Sequence, residues 1–385
     1  MRKIFLFLAF IGCLSPSICR GQDPGSIDLD LDYVMWWTNG TQLPALVSTS
    51  PAGTPQNQAG VLPGASVLFG NDRYNDSLRN GGRFTLTRWL DAEKEIALEL
   101  SYFGGGSAND LDYHLNSTGA PILARPFFNT VTGQQDSQLL SFIDPASTPI
   151  VAGGISINGE SEFHSASALA RINSQKTRNG RIDWLLGYRF FRFREGLHIS
   201  ESIESTNPLG LIAQGTTLSL FDDFGTSSSF HGGEIGLGWT GSINDWLSLQ
   251  GTSKIALGGV NKRLKVRGNT QVSVPGGGTA SYAGGLLALP SNMGDREESD
   301  FAFLPELGVK ARVLLTSNVE FNVGYSALYL TNVARVGDAV DRNIDASQLT
   351  TLDTTGVPSS GRPFSTLSDS GLFVHGISLG VAFSR

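Results

Sequence analysis

Charged residues recur at alternate positions in this 385-residue chain, and that spacing frames its possible chemistry. In residues 27 to 37, IDLDLDYVMWW, Asp28, Asp30 and Asp32 share one parity and Ile27, Leu29, Leu31, Tyr33, Met35 and Trp37 share the other. The same arrangement sets Arg83, Glu99, Arg181, Asp183, Arg189, Glu234, Lys254, Glu306, Lys310, Arg312 and Glu320 opposite apolar neighbours. The set holds eight acidic and six basic residues, so most can pair across a confined space. Such charges either neutralise one another in a polar core or line a narrow passage whose transverse field selects solutes. Proton transfer is a third chemistry: His164, His198 and His231 fall near strand ends, and Asp222-Asp223 precede His231. No catalytic spacing accompanies them, so the histidines read as a solvated rim and the chain as no enzyme. The segments NDRYND, ANDLDYH, GDREESD and GDAVDRNID are acidic, yet none has the spacing of a Ca²⁺ loop. No phosphate loop, nucleophile elbow or zinc-binding His pair occurs, and neither cofactor nor metal is expected.

The elements that must carry these residues are strands. Successive side chains of a strand point to opposite faces, and segments with this period recur ten times. GRFTLTRWL and EIALELSY flank a turn at Asp91–Lys94. SEFHSASALARI, with small and mixed faces, and RIDWLLGYRFF flank a turn at Lys176–Gly180, where Asn179-Gly180 is a hairpin signal. FHGGEIGLGW and WLSLQGTSKIALGG flank Asn244-Asp245; LPELGVKARV and VEFNVGYSALY flank Thr316–Asn318. The opening strand and GLFVHGISLGVAFSR complete the set. Between these hairpins run long polar stretches, including 38–81, 104–160, 268–300 and 331–370. This wiring predicts an all-β fold, a transmembrane up-and-down antiparallel β-barrel with ten strands, short periplasmic turns and long extracellular loops. A strand pair hidden within 104–160 would raise the number to twelve.

A water-soluble sandwich also alternates, so the second face decides. Here it is rich in Gly, Ser, Ala and Thr, which suit a crowded narrow bore, whereas glycine weakens a solvated strand without return. Tyr33, Trp37, Tyr102, Trp184, Tyr188, Trp239, Tyr325, Tyr329, Phe373 and Phe383 all lie on the apolar parity, mostly near strand ends. They are the expected membrane-interface aromatics. The fourteen charges then line the lumen, with Arg181 or Lys310 candidates to neutralise the Asp28–Asp32 ladder. The first strand should meet the last across the barrel seam.

The N-terminus reads as an export signal over residues 1–22, ahead of one barrel domain over 23–385. Arg2 and Lys3 precede an apolar run, Ile4–Leu14, too short to span a bilayer. Gly12-Cys13 offers a poorer, lipoprotein-type cleavage alternative. Both cysteines, Cys13 and Cys19, lie in this leader, so no disulfide framework is expected. A net charge of −7 argues against nucleic acid as a partner.

The chain resembles the planctomycete family of beta-barrel porins. The resemblance rests on ordered blocks: DYVMWWTNGTQLPALVSTSP, SVLFG with GGRFTLTRWLD, LELSYF, WLLGYRFFRFREGLHISES, FHGGEIGL, SKIALGGVNKRLKVRG, LPELGVKARVLLTSNVEFNVGYSALYLTNVARVGDAVDR and HGISLGVAFSR. It implies an outer-membrane barrel and little about mechanism. Many such barrels end on an aromatic residue read during assembly; here Arg385 follows Phe383 and Ser384. The expected partners are outer-membrane lipid and, during insertion, the barrel-assembly machinery. Three functions follow in order: a narrow porin for small polar solutes or ions, a closed structural or surface-binding barrel displaying its loops, and a hydrolase at the outer rim.

Overall fold

A computed structural model describes residues 25–349 and 361–385, apart from 209 and 211. The expected leader lies outside the described residues. Ten strands form the wall: β1 (Ile27–Thr38), β2 (Arg79–Trp89), β3 (Ile96–Ser117), β4 (Pro149–Lys176), β5 (Gly180–Ser205), β6 (Thr217–Ser242), β7 (Leu247–Val274), β8 (Gly294–Thr316), β9 (Val319–Val333) and β10 (Ser370–Ser384). Each pairs antiparallel with the next, and β1 pairs with β10 from Asp28↔Ser384 to Thr38↔Val374. The ring is therefore a closed ten-stranded barrel, with no open edge where all ten strands pair.

The twelve-strand alternative does not hold. Residues 104–160 do contain an extra hairpin, Leu123–Asn129 with Gln134–Ile143, but its backbone pairs with the wall only at the start of β4. Several expected loops are also strand. β4 and β7 each run 28 residues and β5 and β6 each run 26, about 90 Å of extended chain. β1 and β2 are only 12 and 11 residues long. One side of the barrel thus rises far above the other.

The side chains explain the height. Near the short turns, large apolar groups point outward: Leu98, Leu100, Trp184, Leu186, Ile235, Leu237, Leu307 and Val309 are all exposed. This inverts the distribution of a water-soluble domain. Further up, the phase reverses. On β5, Leu186 and Tyr188 face out, whereas Phe191, Phe193, Leu197 and Ile199 face in. On β7, Ile255 and Leu257 face out and Val260, Leu264 and Val266 face in. Above the reversal the tall wall is an ordinary half-buried sheet. Its inner face packs on the 123–143 hairpin, Leu286–Leu289 and Val336–Leu349, forming a second hydrophobic core.

Glycine is required where strands pass bulky inward groups. A β-carbon on Gly380 would overlap the Asp32 carboxylate, and one on Gly376 would overlap the Trp36 ring.

Candidate functional site: the barrel interior

From the short-turn end upward, the bore contains an ionic layer and then an aromatic one. All fourteen charges named from the sequence face inward, and each has an opposite-charge partner. Asp32 takes Lys310 at 2.6 Å, and Asp30 takes Arg312 at 2.9 Å. Arg312 also reaches Glu320 at 3.2 Å, tying β8 to both β1 and β9. Asp28 accepts from Trp89 Nε1 at 2.8 Å and lies 3.9 Å from Lys94. Arg181, a candidate partner for the ladder, instead pairs with Asp183 at 2.7 Å and stacks over Trp89. Its two-residue neighbour is closer than the far wall, and the Trp89 ring holds it there.

The residue that sequence reasoning missed is Arg171. It bridges Glu99 at 2.5 Å and Asp183 at 2.9 Å. It sits on β4, whose small mixed faces gave no parity to follow. With Arg171 and Lys94 included, this layer holds eight carboxylates and eight cations, which removes the acidic excess. Near mid-bore, Glu306 lies 2.6 Å from Arg189, 3.4 Å from Lys254 and 3.8 Å from Arg83. Glu234 lies 3.3 Å from Arg189 and 3.5 Å from Lys254. These groups draw on five strands and are nearly removed from water, so their desolvation must be offset by mutual attraction. A cavity of about 340 Å³ remains among them, lined by Asp30, Arg83, Glu99, Lys254, Glu306 and Arg312.

Above this cavity the bore is filled by rings. Trp36, Phe163, Phe191 and Phe230 are 0 % exposed and Phe103 is 2 % exposed. Trp36 meets Phe103 at 5.3 Å and Phe163 edge-on at 5.7 Å, and Phe163 stacks on Phe191 at 6.2 Å. Val34 adds to the layer from β1, and Ala256, Leu304, Leu328 and Val374 extend it onto β7 to β10. Arg83 and Arg189 couple the two layers, lying 5.0 and 5.2 Å from the Phe103 ring centre. The same guanidinia that neutralise Glu306 thus brace the underside of the aromatic layer.

The mouth above is closed by folded loops. Arg125, from the hairpin, is buried against Asp222 at 2.8 Å and Glu201 at 3.2 Å. Asp222 Oδ1 accepts the backbone N–H groups of Leu286, Leu287 and Ala288 at 2.8–3.0 Å. Gln138 donates to Glu201 at 2.5 Å. Burial, with Asp222 beside it, outweighs Arg125 and pushes the Glu201 carboxyl up to about 7. Arg335 docks the last loop by two bonds to Glu195, 3.0 and 3.1 Å long.

The ten aromatics all lie on the outer wall. Trp184, Trp239 and Phe383 stand near the short turns. The others stand higher, and histidines join several of them: His164 to Tyr102 at 2.8 Å, His231 to Tyr188 at 2.5 Å, and His375 stacked on Trp37. His198 is higher again, 3.9 Å from Asp223. The histidines are therefore dispersed over the outer wall, and Asp222 is committed to the loop cluster inside. The acidic loop segment at 337–345 is tied to residues 362–370: Asp338 accepts from the Ser368 and Ser370 hydroxyls, and Asp341 from Arg362. Among the described residues no group of three or more His, Cys, Asp and Glu is placed to hold a metal.

Comparison with known proteins gives a family and an architecture. No curated protein matches the chain. The outer membrane protease OmpT of Escherichia coli is similar at 10 % identity, over 95 % of this chain and 98 % of that one, with a TM-score of 0.44. Ail, the attachment invasion locus protein of Yersinia pestis, is similar at 8 % identity over 94 % and 100 %, TM-score 0.24. The toluene transporter TodX of P. putida is similar at 10 % over 95 % and 90 %, TM-score 0.19. These scores are too low to transfer any property. The family described as Putative beta barrel porin-7 matches residues 29–384, nearly the whole described chain, so this protein belongs to that family of outer-membrane β-barrels.

Proposed function

We propose that the protein is a closed outer-membrane barrel, sealed across its bore, whose tall wall and packed loops present a rigid surface outside the cell. The observation that carries this reading is the aromatic layer from Trp36 to Phe230, which has no exposed face. A ten-stranded bore is narrow, and here it is filled with side chains of interior packing quality. The sequence put a narrow diffusion pore first; the packing favours the closed alternative. In this reading the outward apolar band meets lipid hydrocarbon, and the upper Tyr, Trp and His residues stand at the outer interface. The paired charges keep the wall in register. Catalysis finds no support, because the rim histidines are dispersed and Asp222 serves the loop cluster.

The cavity in the ionic layer favours a second reading, a narrow porin whose passage opens when the rings move. Liposome swelling separates the two. Vesicles carrying the refolded protein should swell in small sugars and amino acids no faster than empty vesicles. Swelling that scales with protein content would return the porin to first place.

A further inference from the structure

On the outer wall just above the apolar band, two strands gather cations on either side of a third. β5 turns Arg192 and Arg194 outward, and β7 turns Asn261, Arg263, Lys265 and Arg267 outward. Between them β6 offers only Ser229, Ser227 and Gly225. Register sets Arg192, Ser229 and Asn261 in one row and Arg194, Ser227 and Arg263 in the next. With no bulk on the middle strand, guanidinia from both sides lean over a floor of two hydroxyls.

Carboxylates stand behind the clamp. Glu162 pairs with Arg194 at 3.0 Å from the β4 side, and Glu297 pairs with Arg263 from the β8 side. They fix the two outer guanidinia, and planar guanidinium groups have donors left over for a second acceptor. Arg192 is different. Its Nε is buried without a hydrogen-bond partner among the described residues. Burial, with the like charges of Arg194 and Arg263, holds its pKa below the usual arginine value despite Glu162. Like charges brought together over an unfilled donor describe an anion site. Directly below lie Phe190, Tyr188 and His231 of the aromatic band. An anion held here would carry its acyl chains down the apolar wall.

We propose that Arg192, Arg194 and Arg263, over Ser227 and Ser229, bind the phosphate of a phosphorylated lipid in the outer leaflet. The proposal rests on the reading of the outward band as lipid-facing. Its test is native mass spectrometry of the detergent-purified full chain with dioleoyl phosphatidic acid, dioleoylglycerol and inorganic phosphate as probes. The wild type should retain phosphatidic acid in preference to dioleoylglycerol. Arg194→Ala with Arg263→Ala should weaken that retention about thirtyfold, near the polybasic contribution of two residues. Ser227→Glu keeps all three arginines but supplies an internal carboxylate, and should weaken retention as well. Equal retention of the two lipids, or unchanged retention in both variants, would overturn the clamp while leaving the lipid-facing band intact. Displacement of phosphatidic acid by equimolar inorganic phosphate would also overturn it, as a free-anion site. A chain that stays monodisperse without detergent and retains neither lipid would remove the band and the clamp together.

Discussion

Glu306→Gln probes the ionic layer where it is most concentrated. The substitution keeps shape and removes one negative charge from a group with three cations, Arg83, Arg189 and Lys254, and only one other contacting carboxylate, Glu234. Arg83 is left with its hydrogen bond to Ser326 at 3.1 Å and no carboxylate partner. Removing one member of a buried ion pair costs about 3–5 kcal/mol, because the partners stay desolvated. Part of the cost is relieved here, since Arg189 and Lys254 retain Glu234, so we expect about 3 kcal/mol. In a chain of this size, with an unfolding entropy of about 0.8 kcal/mol/K, that lowers the thermal midpoint by about 4 °C. Lys254→Met alone strips Glu234 and Glu306 of the ammonium they share and should also destabilise. The double variant removes one charge of each sign and should recover at least about 1 kcal/mol relative to the sum of the singles. The assay is equilibrium urea unfolding of the refolded barrel in lipid vesicles, read by circular dichroism. Single-variant midpoints equal to wild type, or a double variant equal to the sum, would refute the claim that these charges act as one network.

Other consequences follow from the aromatic layer and the loop cluster. Phe163→Ala with Phe191→Ala removes two stacked rings, at about 3–5 kcal/mol each, and should open a path that gives the first measurable ion current. Glu201 titrates high, so its contribution to stability is full below its ordinary value of 4.5 and is lost as pH rises towards about 7. Glu201→Gln should therefore be more stable than wild type at pH 8, by about 3 kcal/mol, and close to it at pH 4 in thermal unfolding. Arg125→Ala leaves Glu201 and Asp222 facing each other without their cation. It should loosen the 123–143 hairpin, seen as faster protease cleavage there while the barrel fragment persists.

The barrel was legible in sequence because parity is a strong signal when one face is wholly apolar. Ile96, Leu98 and Leu100 against Ala97, Glu99 and Ser101 leave one solution for which side faces out. The same parity offered Arg181 or Lys310 to the Asp28–Asp32 ladder, and it is Lys310 that meets Asp32, 278 residues away in sequence. Three features escaped. Arg171 lies on a strand with small residues on both faces, so nothing marked its direction. The tall wall was read as loop because the apolar parity reverses between Phe190 and Phe191, and again between Leu257 and Val260. A reversal looks like a broken strand unless one asks whether the surroundings change from hydrocarbon to water. The Arg125–Glu201–Asp222 cluster joins a loop hairpin to two strands, and no local spacing announces such a contact.

The account stands on the seal across the bore. Single-channel recording of the refolded chain in planar bilayers tests it most directly. The closed barrel predicts a baseline indistinguishable from lipid alone at moderate voltage. Steady, reproducible steps with a linear current–voltage relation in the wild type would contradict it.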